Sequence, residues 1–117
     1  MIKGIGIDII ELDRIRNSMQ NRRFIDRVLT NSEKQTFELL TNESRKVEFV
    51  AGRFAAKEAF SKAIGTGIGK LSFQDIEVYN DEKGAPFIKC LLHEDMNIFV
   101  SITHSREYAV AQVILEI

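Results

Sequence analysis

The sequence has no tryptophan, one proline (Pro86) and one cysteine (Cys90) among its 117 residues. A single cysteine excludes an internal disulfide and fits a reducing compartment. With only two histidines beside it, no Cys/His set has zinc spacing. Neither charge is in surplus. Lys and Arg total 16 against 17 Asp and Glu, a net charge of −1, so no global basic field points to nucleic acid. No apolar run approaches the ~18 residues of a membrane span. The stretch Met1–Ile5 lacks the basic, apolar, then small order of a secretory signal. Repeats, low-complexity tracts and linkers are absent. At 44% hydrophobic and 28% charged residues, the chain is too apolar for disorder. A chain of this length buries about two-thirds of its surface on folding. The expectation is one soluble, cytoplasmic domain over residues 1–117, with neither membrane nor nucleic acid as partner.

Residues 2–10 read Ile-Lys-Gly-Ile-Gly-Ile-Asp-Ile-Ile. Ile5 and Ile7 share one face at period two, which predicts a strand, and Gly4 and Gly6 on the other face permit close backbone approach. Residues 11–29 have a helical pattern interrupted at Gln20-Asn21. A short helix over 31–40 starts where Asn31 or Ser32 can cap it. The longest helix is expected over 43–64, with Phe49, Ala56, Phe60, Ala63 and Ile64 as its buried stripe and Gly65 as its stop. Strands follow at 76–79, 87–92, 98–103 and 108–116, the first two joined by a turn cluster around Gly84 and the last two by Ser105-Arg106-Glu107. One strand, helices, then four strands predict an α+β fold with a mainly antiparallel sheet. The last strand puts Ala109, Ala111, Val113 and Leu115 on one face and Tyr108, Val110, Gln112 and Ile114 on the other. Helices on one side of a single small sheet leave the second face open, and such an apolar face marks an interface.

Asp8 lies inside a run of isoleucines, where a carboxylate is costly unless paired, hydrogen-bonded or metal-bound; it is otherwise a strand-end cap for the next turn. Glu58 and Lys62 stand four residues apart on one helical face. That spacing describes an ordinary surface ion pair, but alanines at 55, 56, 59 and 63 describe a helix packed too closely for an ordinary solvated face. With Asp8, such a helix could offer two carboxylate ligands to Mg²⁺, leaving positions for water and a substrate phosphate. Gly65-Thr66-Gly67-Ile68-Gly69 follows a helix and precedes a strand, the reverse of a dinucleotide fingerprint, and stays open as a flexible lining loop. Ser101-Ile102-Thr103-His104-Ser105 ends a strand with a histidine among hydroxyls: a solvated turn, or a polar rim for phosphate or ribose. No nucleophile elbow accompanies it. Cys90 is expected as an inert core residue in its strand.

Between residues 14 and 29, Arg14, Arg16, Arg22, Arg23 and Arg27 face one acid, Asp26, with Ile15, Met19, Phe24, Ile25 and Val28 interleaved. A solvated face is the ordinary account of such a run. Apolar residues among arginines fit a docking surface for an acidic partner better.

Three segments together resemble the holo-[acyl-carrier-protein] synthases, small bacterial 4′-phosphopantetheinyl transferases. They are Gly4-Ile5-Gly6-Ile7-Asp8-Ile9 with Arg14 following, Arg53-Phe54-Ala55-Ala56-Lys57-Glu58-Ala59-Phe60-Ser61-Lys62, and Ser101-Ile102-Thr103-His104-Ser105. The likeness extends through Gly65–Gly69 and a strand start at Ser72-Phe73-Gln74-Asp75-Ile76, and covers nearly the whole chain. The turn before Pro86 departs from it in carrying Ala85. The resemblance implies a 4′-phosphopantetheinyl transferase-like fold and Mg²⁺-dependent transfer of 4′-phosphopantetheine from coenzyme A to a serine of apo acyl carrier protein. By the same resemblance adenosine 3′,5′-bisphosphate would leave, and the pathway would be fatty acid biosynthesis. It implies Asp8 and Glu58 as metal ligands, Lys62 on the pyrophosphate, and Glu58, directly or through water, as the group that activates the serine. Arg45, Arg53 and His104 would contact coenzyme A. Arg14, Arg22, Arg23 and Phe24 would dock the carrier, and the family's homotrimer would form each site between neighbours. A non-catalytic adaptor using the arginine helix is the alternative; it would need neither Asp8 nor Glu58.

Overall fold

The structure, a computed structural model, describes residues 1–117. Strand β1 (Ile2–Glu11) runs into three short helices, α1 (Leu12–Ser18), α2 (Arg22–Val28) and α3 (Asn31–Leu39), and then the long α4 (Glu43–Ile64). Four strands follow: β2 (Glu77–Asn80), β3 (Pro86–Lys89), β4 (Asn97–His104) and β5 (Tyr108–Glu116). This is the expected α+β order, and every pairing is antiparallel. The strands form two sheets rather than one. A three-stranded sheet has the order β1-β5-β4, and β2 with β3 makes a separate two-stranded sheet.

Local chemistry explains where the expected boundaries move. Thr30, not Asn31 or Ser32, caps α3, because its hydroxyl accepts from the Glu33 N–H while the Glu33 side chain accepts from the Thr30 N–H. The segment at Phe73–Asp75 is a 3-10 turn and not a strand start, since Ser72 and Asp75 close a second reciprocal cap there. β3 ends at Lys89, so Leu91 and Leu92 fall in another 3-10 turn (Leu91–His93). Cys90 is buried between the two, outside any strand. Burial pushes its thiol above the ordinary value, consistent with an inert side chain.

Glycine decides how α4 meets the sheet. A Cβ on Gly6 would run into the Ala59 carbonyl, and one on Gly4 into the Ala63 carbonyl. The helix backbone therefore lies directly on β1, as the small residues at 4, 6, 59 and 63 require. α4 is buried around nearly its whole circumference rather than along one stripe: between Val50 and Ser61 only Phe54 and Glu58 are not fully buried. These two stand four residues apart, so one narrow face remains open, and Lys62 continues it.

Inside this packing sits an ion pair that residue pattern did not single out. Lys57 is fully buried, and its Nζ donates to Glu33 Oε1 (2.6 Å), the Val28 carbonyl (2.7 Å) and the Phe73 carbonyl (3.1 Å). Glu33 also accepts from the backbone N–H groups of Thr30 (2.8 Å) and Val78 (2.7 Å). Burial pulls the ammonium below its ordinary value, and Glu33 opposes that pull. α2, α3, α4, the first 3-10 turn and β2 are thus joined through two side chains.

Removing one partner of a buried pair typically costs about 3–5 kcal/mol. Lys57→Met is expected to lose stability in that range in urea unfolding. Lys57→Met with Glu33→Gln should recover part of the loss but not all, because an amide nitrogen cannot accept one of the two backbone N–H groups. A cost for Lys57→Met below about 1 kcal/mol would show that the pair is not what joins these elements.

Candidate active site

β1 alternates, so Gly4, Gly6, Asp8 and Ile10 face α4 while Ile5, Ile7 and Ile9 face away. Asp8 pairs across β5 with Ala111, whose small side chain leaves room beside it. α4 then brings Lys62 overhead. Its Nζ donates to Asp8 Oδ1 (3.0 Å) and to the Ile7 carbonyl (3.0 Å). The ordinary i,i+4 pairing of Lys62 with Glu58 is not the one formed; the lysine turns across to β1 instead.

Glu58 sits one turn before Lys62 on the open face of α4, half-buried. Burial raises its carboxyl above the ordinary value, and the nearby Asp8 raises it further; Lys62, Arg27 and Arg14 pull the other way. Two carboxylates therefore share a partly dehydrated site. Their repulsion is what a divalent cation relieves, and Mg²⁺ is commonly held by one or two carboxylates with water and substrate phosphate completing its shell. No third His, Cys, Asp or Glu joins them in a cluster.

The opposite edge of the sheet holds a different chemistry. A cavity of about 640 Å³ lies between the first half of α4, the end of β4 and the β2–β3 turn. Arg45, Arg53 and His104 line it together, with Glu48, Asn80 and Ile102 among their neighbours. Arg53 is buried against the Phe49 ring, 4.0 Å from its centroid. Its Nη2 donates to Asn80 Oδ1 (2.8 Å), and its Nε has no partner. Burial lowers its pKa. His104 Nδ1 is 3.5 Å from Glu48 Oε2. A deep arginine with an unused donor beside an exposed arginine and histidine suits a phosphate-bearing ligand. Gly84 and Pro86 also line the cavity, whereas Ala85 between them turns its backbone N–H to Asp81 Oδ1.

The arginine segment forms α1 and α2, beside the open face of α4. Arg14 and Arg27 are close enough to act electrostatically on Glu58. Phe24 stacks on Phe54 at 6.1 Å between centroids. Arg23 is exposed and has no ion-pair partner, but Arg22 is held by Asp26 (3.3 Å) and Glu38 (3.0 Å) within the chain. Arg14 and Arg27 thus border the carboxylate site with Phe24 beside them, Arg23 stands exposed on the same helix α2, and Arg22 is turned toward α3.

Strand, long helix and carboxylate pair define a class that sequence comparison identifies independently. The family model of the 4′-phosphopantetheinyl transferase superfamily matches residues 4–113. A holo-[acyl-carrier-protein] synthase of Oceanobacillus iheyensis is 56% identical over 117 residues, covering 99% of this chain and 98% of that one. One from a Geobacillus species is 59% identical over 118 residues, covering 99% and 98%. A crystal structure of the Bacillus anthracis str. Ames synthase in complex with coenzyme A (3′,5′-ADP) superposes with a TM-score of 0.93 at 55% identity, covering 99% and 97%. The chain belongs to the 4′-phosphopantetheinyl transferase superfamily and, within it, to the holo-[acyl-carrier-protein] synthases; it is an enzyme of that kind.

Arg53 leads to a test that needs no substrate. A buried donor without a partner costs about 1–3 kcal/mol, and a desolvated charge adds to that. Arg53→Met, which trades the desolvated guanidinium on Phe49 and its Asn80 bond for an apolar side chain, is therefore expected to leave stability unchanged or raise it in chemical denaturation. A loss above about 2 kcal/mol would mean that the guanidinium is structural.

Proposed function

We propose that this chain, as one domain over residues 1–117, transfers 4′-phosphopantetheine from coenzyme A to a serine of apo acyl carrier protein. The reading rests above all on one observation: Asp8, Glu58 and Lys62 converge at one end of α4 while Arg45, Arg53 and His104 line a cavity toward the other. The Bacillus anthracis relative was crystallised in complex with coenzyme A (3′,5′-ADP), which supports coenzyme A as the ligand in this reading. The serine oxygen attacks the phosphorus that carries pantetheine. The bond from that phosphorus to the bridging oxygen breaks, and adenosine 3′,5′-bisphosphate leaves with the electron pair. The serine proton passes to the Glu58 carboxylate, directly or through water. Lys62 places positive charge where the leaving phosphate gains negative charge. Mg²⁺ bound by Asp8 and Glu58 would neutralise the pyrophosphate oxygens and hold them for in-line displacement. Cytoplasmic fatty acid biosynthesis is the setting that this reading carries.

The two groups belong to opposite edges of the three-stranded sheet, β1 and β4, about 10 Å apart by strand spacing. Arg53 and Lys62 are also nine residues apart on α4, about 13 Å of helix. The outer face of the sheet is apolar and open: Ile5, Ile7, Ile9 and Phe99 are 61%, 58%, 60% and 54% exposed. The chain's 7260 Å² of surface exceeds the about 6,500 Å² of a compact monomer this size. A homotrimer closed around that face would set the β4 edge of one copy beside the β1 edge of the next and complete a site between them.

The direct test incubates the protein with apo acyl carrier protein, coenzyme A and Mg²⁺ and reads the carrier by intact mass. Addition of phosphopantetheine is expected, and an unmodified carrier would refute the proposal. Asp8→Ala and Glu58→Ala should each abolish most transfer with the fold retained, and the double variant should be little worse. Additive losses, or activity indifferent to a chelator, would count against a shared cation. Gln112, exposed at the centre of the open face between Ile7 and Ser101, tests assembly. Gln112→Glu should weaken the oligomer and lower activity in parallel by light scattering and assay. A fully active wild-type monomer at micromolar concentration would sink the trimer.

A further inference from the structure

α2 has only seven residues, far below the length at which a helix holds itself in water, about 12–15 residues. Its exit is extended, with Leu29 at φ −100° and ψ 134°, so no left-handed residue closes it. Yet its last carbonyls are taken from outside. Gln74 Nε2 donates to the carbonyls of Asp26 (2.9 Å), Arg27 (3.2 Å) and Leu29 (2.8 Å). Lys57 Nζ takes the one between, Val28, at 2.7 Å. Four consecutive carbonyls are thereby engaged by two side chains from distant segments, one Gln74 N–H being shared between two acceptors, where water or a glycine cap usually serves.

Gln74 is itself fixed. It sits in the Phe73–Asp75 turn, where its N–H donates to Ser72 Oγ (3.1 Å) and the Ser72 N–H donates to Asp75 Oδ2 (2.9 Å). The same turn supplies Phe73, which packs on Phe54 at 5.4 Å and lies under the Arg27 guanidinium at 5.3 Å. Phe54 in turn meets Phe24 of α2 and belongs to the open α4 face that carries Glu58. The turn therefore sets both ends of one distance, from the arginine face of α2 to the Glu58 carboxylate.

We propose that Gln74 is a positioning residue for carrier docking: its side-chain amide, backed by Lys57, fixes the exit of α2 so that Arg23, Phe24 and Arg27 meet an acidic carrier in register with Glu58. The proposal rests on carrier docking at α2 under the function proposed above. Gln74 makes no bond to Asp8, Glu58 or Lys62 and does not line the Arg53 cavity. Its effect should therefore fall on one substrate only. The chemistry asked of position 74 is donation alone, because it faces three acceptors. Glutamate, the same shape without the N–H groups, should fail, and lysine, a donor of similar reach, should partly restore function.

Steady-state kinetics with apo acyl carrier protein and coenzyme A test this. Gln74→Ala should raise the KM for carrier about tenfold, the effect of one net hydrogen bond, with kcat and the KM for coenzyme A changed less than about twofold. Gln74→Glu should be at least as impaired as alanine, and Gln74→Lys should recover part of the carrier KM. Amide exchange should quicken across α2 while β1 and β5 keep their protection. Arg23→Glu and Phe24→Ala separate the two levels of the argument. If they raise the carrier KM and Gln74→Ala does not, the positioning role is overturned and docking at α2 stands. If they leave it unchanged, the carrier docks elsewhere and both readings fall. A Gln74→Ala enzyme that loses kcat, coenzyme A affinity and thermal stability together would overturn the proposal in favour of a purely structural residue.

Discussion

The seam between β1 and α4 is the constraint on which the rest of this molecule depends. Helix and strand backbones come together there because Gly4 and Gly6 offer no side chain to the Ala59 and Ala63 carbonyls. One methyl group at either glycine would push the helix outward. Lys62 reaches both the Asp8 carboxylate and the Ile7 carbonyl only because of that approach. The same approach brings the Asp8 charge near enough to Glu58 to raise its carboxyl beyond what burial alone does. Close packing is here a means of bringing together charges that water would otherwise screen.

Much of this was legible because it repeats at short range. Period-two alternation at Gly4, Gly6 and Asp8, alanines around Glu58 and a stop at Gly65 all describe local geometry, and the structure keeps each of them. The misses share a different cause. Lys57 carries no pattern that singles it out until its partner Glu33, 24 residues away, is known. A buried lysine at position 57 needs those acceptors; only its place among Ala55, Ala56 and Ala59 hinted at burial. The residue pattern points to Asn31 or Ser32 as the α3 cap, although Thr30 holds it, because three hydroxyl or amide residues stand in a row and only Glu33, three residues after Thr30, discriminates among them. The division into two sheets rests on which strands meet, and strand pattern does not encode that. Asp8 and Glu58 stood out as candidates because they sit on elements with clear periods, whereas Gln74 acts through carbonyls, which carry no residue identity.

Two arginines illustrate how similar residues separate once partners are known. Arg22 and Arg23 are adjacent and equally basic in sequence, yet Arg22 is engaged by Asp26 and Glu38 while Arg23 is free. An exposed ion pair contributes little to stability, but it does set where a guanidinium points. Arg53 represents the opposite case. It is buried with an unpaired Nε, a cost set against one bond to Asn80 and a contact with the Phe49 ring. Natural folds tolerate such a cost where function requires it, and a ligand phosphate is the kind of acceptor that would relieve it.

The open face of the sheet follows from the same economy. Ala109, Ala111, Val113 and Leu115 of β5 are wholly covered by the helical layer, and α4 is buried nearly all round in doing so. With one long helix already enclosed by the sheet and by α1 to α3, no helical surface remains to cover Ile5, Ile7 and Ile9 on the far side. Adding a second layer would take roughly another helix of chain. A copy of the same face is the cover that requires no additional sequence, and Gln112 at its centre provides a polar group able to hydrogen-bond to its own counterparts. Under the homotrimer proposed above, two half-sites on opposite sheet edges would carry no penalty. In a closed ring, the edges that are farthest apart within one chain become neighbours between chains.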